Sequence, residues 1–165
     1  MKKISGAAII ALACLLFLTG CPPATSTATG PAGTFSVTVT KGNNAKGVPT
    51  WTYTVTGVAG ATTRRVDFYS SDLVPGQYTV TTSTTAAGPG GTSVPWTVIG
   101  SVKIGGGATT GSSVSAPSVT PGTPVVPSSS VTLVVTADAH EGDCYLLIWS
   151  GFKATASDRV AGPVK

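Results

Sequence analysis

Six consecutive residues, Asp138-Ala139-His140-Glu141-Gly142-Asp143, gather the only histidine of the chain and three of its six carboxylates. Asp138, His140, Glu141 and Asp143 could supply the oxygen and nitrogen donors of a weak divalent-metal site. Their spacing matches neither a helix-flanked calcium loop nor a His-Glu-x-x-His zinc helix. Asp and Gly are also the residues that a solvated hairpin loop uses, and this run separates two strand-like segments. Cys144 follows at once. As a nucleophile it would need a base within hydrogen-bond reach, and His140 is the one candidate. The apolar run Tyr145-Leu146-Leu147-Ile148-Trp149 beside it predicts instead a buried cysteine acting as a small hydrophobe. No catalytic residue and no cofactor are expected, and the chain reads as a non-enzyme.

Two further groups could carry chemistry. Arg64 and Arg65 precede Asp67 and Asp72, a charge set that usually solvates and weakly braces a surface. Gly105-Gly106-Gly107 lacks the Lys-Ser/Thr that a phosphate-cradling loop requires, and no strand-to-helix pattern surrounds it.

The elements around these residues follow from composition. Of 165 residues only 10% are charged, while Thr and Ser together number 44. Threonine is β-branched and strong helix formers are scarce, so a long-helix bundle is excluded. The formal charge of +4 includes Lys2 and Lys3; without them eight scattered cations face six carboxylates. No basic stripe forms, and a nucleic-acid partner is not expected.

The N-terminus carries an address. Lys2 and Lys3 precede Ala7–Leu18, a wholly apolar run of about 18 Å as a helix, too short for a hydrocarbon core of roughly 30 Å. Leu18-Thr19-Gly20-Cys21 follows, then Pro22 and Pro23. This resembles a bacterial lipoprotein signal, with its Leu, two small residues and cysteine. The resemblance implies a signal peptide over residues 1–20 and acylation of Cys21, which becomes the mature N-terminus. It also implies an extracytoplasmic, lipid-anchored protein whose partner is the bilayer. Pro22, in place of the Asp that retains such proteins at the inner membrane, implies the outer membrane in a two-membrane bacterium. Two or more acyl chains give a stable anchor where one is marginal. Cys14 would leave with the signal and Cys21 would carry lipid, so Cys144 has no disulfide partner.

Residues 21–33, free of Val, Ile, aromatics and charge, predict a flexible tether. From residue 34 to 165 the pattern predicts one β-sandwich domain. Phe35, Val37 and Val39 alternate with Ser36, Thr38 and Thr40; Trp51, Tyr53 and Val55 alternate with threonines; Val131, Leu133 and Val135 alternate with Thr132, Val134 and Thr136. Period two marks sheets with one buried face, and the absence of crossover helices predicts antiparallel pairing. Val66 and Phe68 point inward from a shorter strand, Val94, Trp96 and Val98 from one that Pro95 places at an edge or begins with a bulge, and the run 144–149 forms a denser, central one. Residues 105–130, with prolines at 117, 121, 124 and 127, predict a long Pro/Ser/Gly-rich loop or linker, or short edge strands at 113–119. Beyond Phe152 a fraying tail is expected. Trp51 and Trp149 are the candidate core tryptophans.

Leu73, Pro75, Gly76, Tyr78 and Val80 resemble a turn-and-strand of bacterial immunoglobulin-like surface domains. The resemblance implies a turn at Pro75-Gly76, with Tyr78 and Val80 entering the core. The expected fold class is all-β, an antiparallel β-sandwich, and the resemblance implies an immunoglobulin-like one. The Thr-rich outer face could meet another sheet, a glycan or a solid surface, and low charge gives little protection against self-association. The expected role is a structural, adhesive or assembly module of the envelope, its partners an envelope protein, a glycan or its own copies. The other reading is a binding module for a small ligand or cell-wall glycan.

Overall fold

The computed structural model describes residues 24–88, 91–104, 107–117 and 127–165. Two antiparallel sheets face each other across one apolar core. The first contains β1 (Thr25–Gly30), β2 (Gly33–Asn43), β3 (Pro49–Gly57), β10 (Ser130–Thr136) and β5 (Thr79–Thr82), in that spatial order. The second runs β12 (Lys153–Ala156), β11 (His140–Ser150), β4 (Arg65–Ser70), β9 (Thr110–Ser115), β8 (Thr97–Lys103), with β13 (Val160–Val164) also on β11. β6 (Thr85–Ala87) and β7 (Ser93–Pro95) form a separate two-stranded ribbon whose Ala86 joins the same core.

The alternating runs make the core as their period requires. Phe35, Val37, Trp51, Tyr53, Val55, Val131, Leu133 and Val135 are buried on the first sheet, and Val66, Phe68, Val114, Cys144, Leu146 and Ile148 on the second. The Tyr53 and Phe68 rings bridge the two layers at 5.4 Å between centroids, and Tyr78 meets Phe68 edge-on at 5.2 Å. Val74-Pro75-Gly76-Gln77 is a tight turn: Gln77 N donates to the Val74 carbonyl at 3.0 Å, and Gly76 takes a φ of 103°. Proline at the second position and glycine at the third suit that geometry. Tyr78 then enters the core and Val80 packs against it.

Five expectations need correction. Residues 25–30 are not a tether but β1, in antiparallel register with β2 from Thr25↔Thr38 to Gly30↔Gly33. Ser, Thr and Ala satisfy an edge strand because backbone pairing, not apolar area, holds it, and Ala28 alone is buried. The long loop contains β9, which lies between β4 and β8 rather than at an edge. Its small residues fit there by close approach: a Cβ on Gly111 would collide with the Phe68 carbonyl. Residues 118–126 lie outside the described residues. The strand around Pro95 lies at an edge, as the proline requires, since β8 is the last strand of its sheet, but it is broken in two, β7 and β8, with Trp96 buried between them.

The tail beyond Phe152 does not fray. It returns along β11 as β12 and β13, with the register slipping by one residue between Leu147↔Ala156 and Cys144↔Val160. Ser157 covers the slip: its N–H donates to the Leu146 carbonyl at 2.8 Å and its Oγ accepts from Leu146 N at 2.9 Å. Trp149, finally, is not in the core; it points outward from β11, one position out of phase with Leu146 and Ile148.

Candidate functional site

The two outer faces are chemically different. On the first sheet, cross-strand pairing sets hydroxyls in rows. Thr40, Thr52, Val134 and Thr81 form one row over four strands; Thr25, Thr38, Thr54 and Thr132 form the next; Thr27, Ser36, Thr56 and Ser130 form a third. Directly opposed residues share a face, so neighbours within a row stand about 4.8 Å apart across strands and successive rows about 6.7 Å apart along them. These rows carry no charge. Thr29 and Thr34 hydroxyls approach to 3.3 Å and Thr56 and Ser130 to 3.4 Å.

The second sheet presents a cluster of larger groups. Tyr69 opposes Tyr145, Asp67 opposes Leu147, and Arg65 opposes Trp149 on β4 and β11. Around them stand small side chains, Ser113 and Ser115 on β9 and Ala154 and Ala156 on β12. The two tyrosine rings stack at 5.3 Å with 17° between planes. Burial, and beside it the Tyr145 phenol, raises the Tyr69 pKa above its usual value. Asp67 is fully buried although it is on the outer side of the sheet. Arg65 forks onto it through Nε at 2.5 Å and Nη2 at 3.0 Å, and Trp149 Nε1 donates to Oδ2 at 2.8 Å. The guanidinium lies over the Trp149 ring at 5.4 Å. All the Asp67 contacts are thus with its own face, which fixes the orientation of Trp149 and Arg65.

The four residues expected as a weak metal site do not converge. Glu141 pairs with Lys41 at 3.1 Å, and Asp143 with Arg159 at 3.5 Å. Asp138 and His140 border a cleft of about 240 Å³ with Leu73, Ala139 and Lys165. Among the described residues, no three His, Cys, Asp or Glu side chains come together as a metal would require. Cys144 is buried, as its apolar neighbours predict, and is a free thiol. Burial pushes its pKa up to about 12, so it stays protonated at neutral pH. His140 lies four residues away along β11, about 13 Å at strand rise, and is exposed. The pair cannot act as nucleophile and base. Cys21 and the signal segment lie outside the described residues.

A broader open groove, about 740 Å³, runs between Thr25–Thr27 of β1 and Ser157–Arg159, with Tyr145 on its wall. The sequence pairs Arg65 with Asp67 by strand period, but Trp149, 82 positions on, comes to them only through the β4–β11 register. No protein-family model, no curated protein and no solved structure matches this chain.

Proposed function

We propose that the protein is a lipid-anchored structural, adhesive or assembly module of the bacterial envelope, working through the outer face of its first sheet. The sequence of the N-terminus, with Cys21 after Leu18-Thr19-Gly20, supports the anchor and the extracytoplasmic, outer-membrane location. The observation that carries the role is the uncharged threonine lattice continuous over β1, β2, β3 and β10. Such a face offers methyls and hydroxyls at regular spacing and puts no charge in the way of a second flat surface. An immunoglobulin-like plan for the sandwich belongs to the same reading, supported by the facing antiparallel sheets and the Pro75-Gly76 turn leading Tyr78 into the core.

The second sheet favours another reading, a glycan-binding module. Tyr69, Tyr145 and Trp149 form a half-buried aromatic surface edged by Arg65, chemistry suited to sugar rings.

Two measurements separate them. Acylated protein extracted in detergent and studied by sedimentation velocity should associate with rising concentration, and Thr52→Lys with Thr54→Lys should abolish that association. Insoluble peptidoglycan should not retain it. Retention on peptidoglycan that Tyr145→Ala removes, without self-association, would overturn the first reading for the second. Monomeric behaviour with no retention would sink both.

A further inference from the structure

The anchor reading has a geometric consequence once β1 is a strand. β1 begins at Thr25, and the Ala24 carbonyl already accepts a hydrogen bond from Val39 N at 2.6 Å. Only Pro22 and Pro23 separate Ala24 from Cys21. Fully extended, that stretch reaches about 11 Å from Ala24 to Cys21.

The same end of the sandwich carries the β2–β3 hairpin. β2 continues past Val39 to Asn43, about 13 Å further, before the turn over residues 44–48 even begins. The turn is internally braced: Asn44 Oδ1 accepts from Lys46 N at 2.9 Å and Val48 N at 3.0 Å, and Gly47 N donates to the Asn44 carbonyl at 2.9 Å. Strand directions place the Val74–Gln77 turn, the β10–β11 turn and the end of β13 there too. Val74 is exposed on that end, and Lys46 and Lys165 belong to none of the ion pairs among the described residues. Phe152, fully exposed in the β11–β12 turn, is at the opposite end, about 33 Å away along β11.

We infer that the bilayer surface itself is the partner of the hairpin end: acylated Cys21 draws the β2–β3 turn and Lys46 onto the lipid headgroups, with the Phe152 turn facing outward. The inference rests on the lipid-anchor reading. The reach of the chain supports it, because with the strands upright on the membrane the hairpin overhangs the start of β1 by more than the linker can span. The lysine ammonium meets lipid phosphate, and Val74 meets the boundary of the acyl region. The domain stands on the membrane rather than floating above it.

The test uses full-length protein made with its own leader in a bacterial host. Intact mass comes first: an unacylated Cys21 overturns both the anchor and this inference. Acylated Lys46→Cys and Phe152→Cys variants then receive a fluorophore; Cys144 is buried and native protein leaves it unlabelled. In vesicles of phosphatidylethanolamine and phosphatidylglycerol carrying a headgroup quencher, the label at position 46 should be quenched several-fold more than that at 152. Equal quenching, or stronger quenching at 152, with Cys21 acylated overturns the docking inference and leaves the anchor standing.

Discussion

Trp149 Nε1 donates to Asp67 Oδ2 at 2.8 Å, joining β11 to β4 on the outer side of the second sheet and capping a fully buried carboxylate. Arg65 supplies the charge that makes this burial tolerable, with its own side chain 37% exposed. The two partners are therefore unequal. Removing the cation strands a buried anion, whereas removing the anion frees donors that water can reach.

Arg65→Ala should accordingly destabilise the fold by roughly 3 kcal/mol, the low end for a broken buried pair because the guanidinium is partly in water. Asp67→Ala should cost less. Urea unfolding of both variants checks the order, and a larger loss for Asp67→Ala would mean that the carboxylate organises the sheet rather than being accommodated by it.

The tryptophans divide by face. Trp51 is fully buried between the sheets, so Trp51→Ala should cost about 3–5 kcal/mol. Trp149→Phe keeps most of the half-buried ring area but loses the indole donor to Asp67, for about 1–2 kcal/mol. Thermal unfolding of the two variants should separate them clearly; similar midpoints would refute the assignment of Trp51 to the core.

The phase of Trp149 shows where sequence stops being informative. In Phe35–Val39 and Trp51–Val55 threonines alternate with apolar residues, so the buried face is legible at once. In Tyr145–Trp149 both faces are apolar, and the inward set is fixed only by Cys144, Leu146 and Ile148 packing on the opposite sheet. β1 and β9 are hidden for the opposite reason. Their Ser, Thr, Gly and Ala residues resemble linkers, because they are held by backbone pairing, by close approach at Gly111 and by the burial of Ala28 alone in β1. The Arg65–Asp67 half of the outer cluster follows from strand period, while its Trp149 half depends on a register no local pattern encodes.

Cys144 should make stability sensitive to alkali. Its folded pKa is raised from 9.0 to about 12, chiefly by burial, and burial likewise raises Tyr53 well above its usual value. Below pH 9 both native and unfolded chains hold the thiol proton, and the contribution is constant. Between pH 9 and 12 the native state keeps a proton that the unfolded state has released, so stability falls as pH rises. Cys144→Ala should flatten that decline in denaturation series taken from pH 8 to 11. An unchanged slope would assign the alkaline loss to other groups, Tyr53 first.

Gly162 tests how tightly β13 is drawn into the core. Tyr53 Oη donates to the Ala161 carbonyl at 2.8 Å, and Ser70 Oγ to the Pro163 carbonyl at 2.8 Å. A Cβ on the intervening Gly162 would meet Cys144 Sγ at 2.5 Å and collide with Tyr53 Oη. Neither neighbour can retreat, since both lie between the sheets. Gly162→Ala should thus overpack the site, at about 1–3 kcal/mol. Tyr53→Phe removes the hydroxyl and opens space beside that carbon, at the cost of an unpaired buried carbonyl, about 1–3 kcal/mol by itself. The double variant should lose less than the two single losses combined, because the deleted hydroxyl is one of the atoms the new methyl strikes. Additive losses in guanidinium unfolding would show that β13 relaxes away from Tyr53 and is not clamped there.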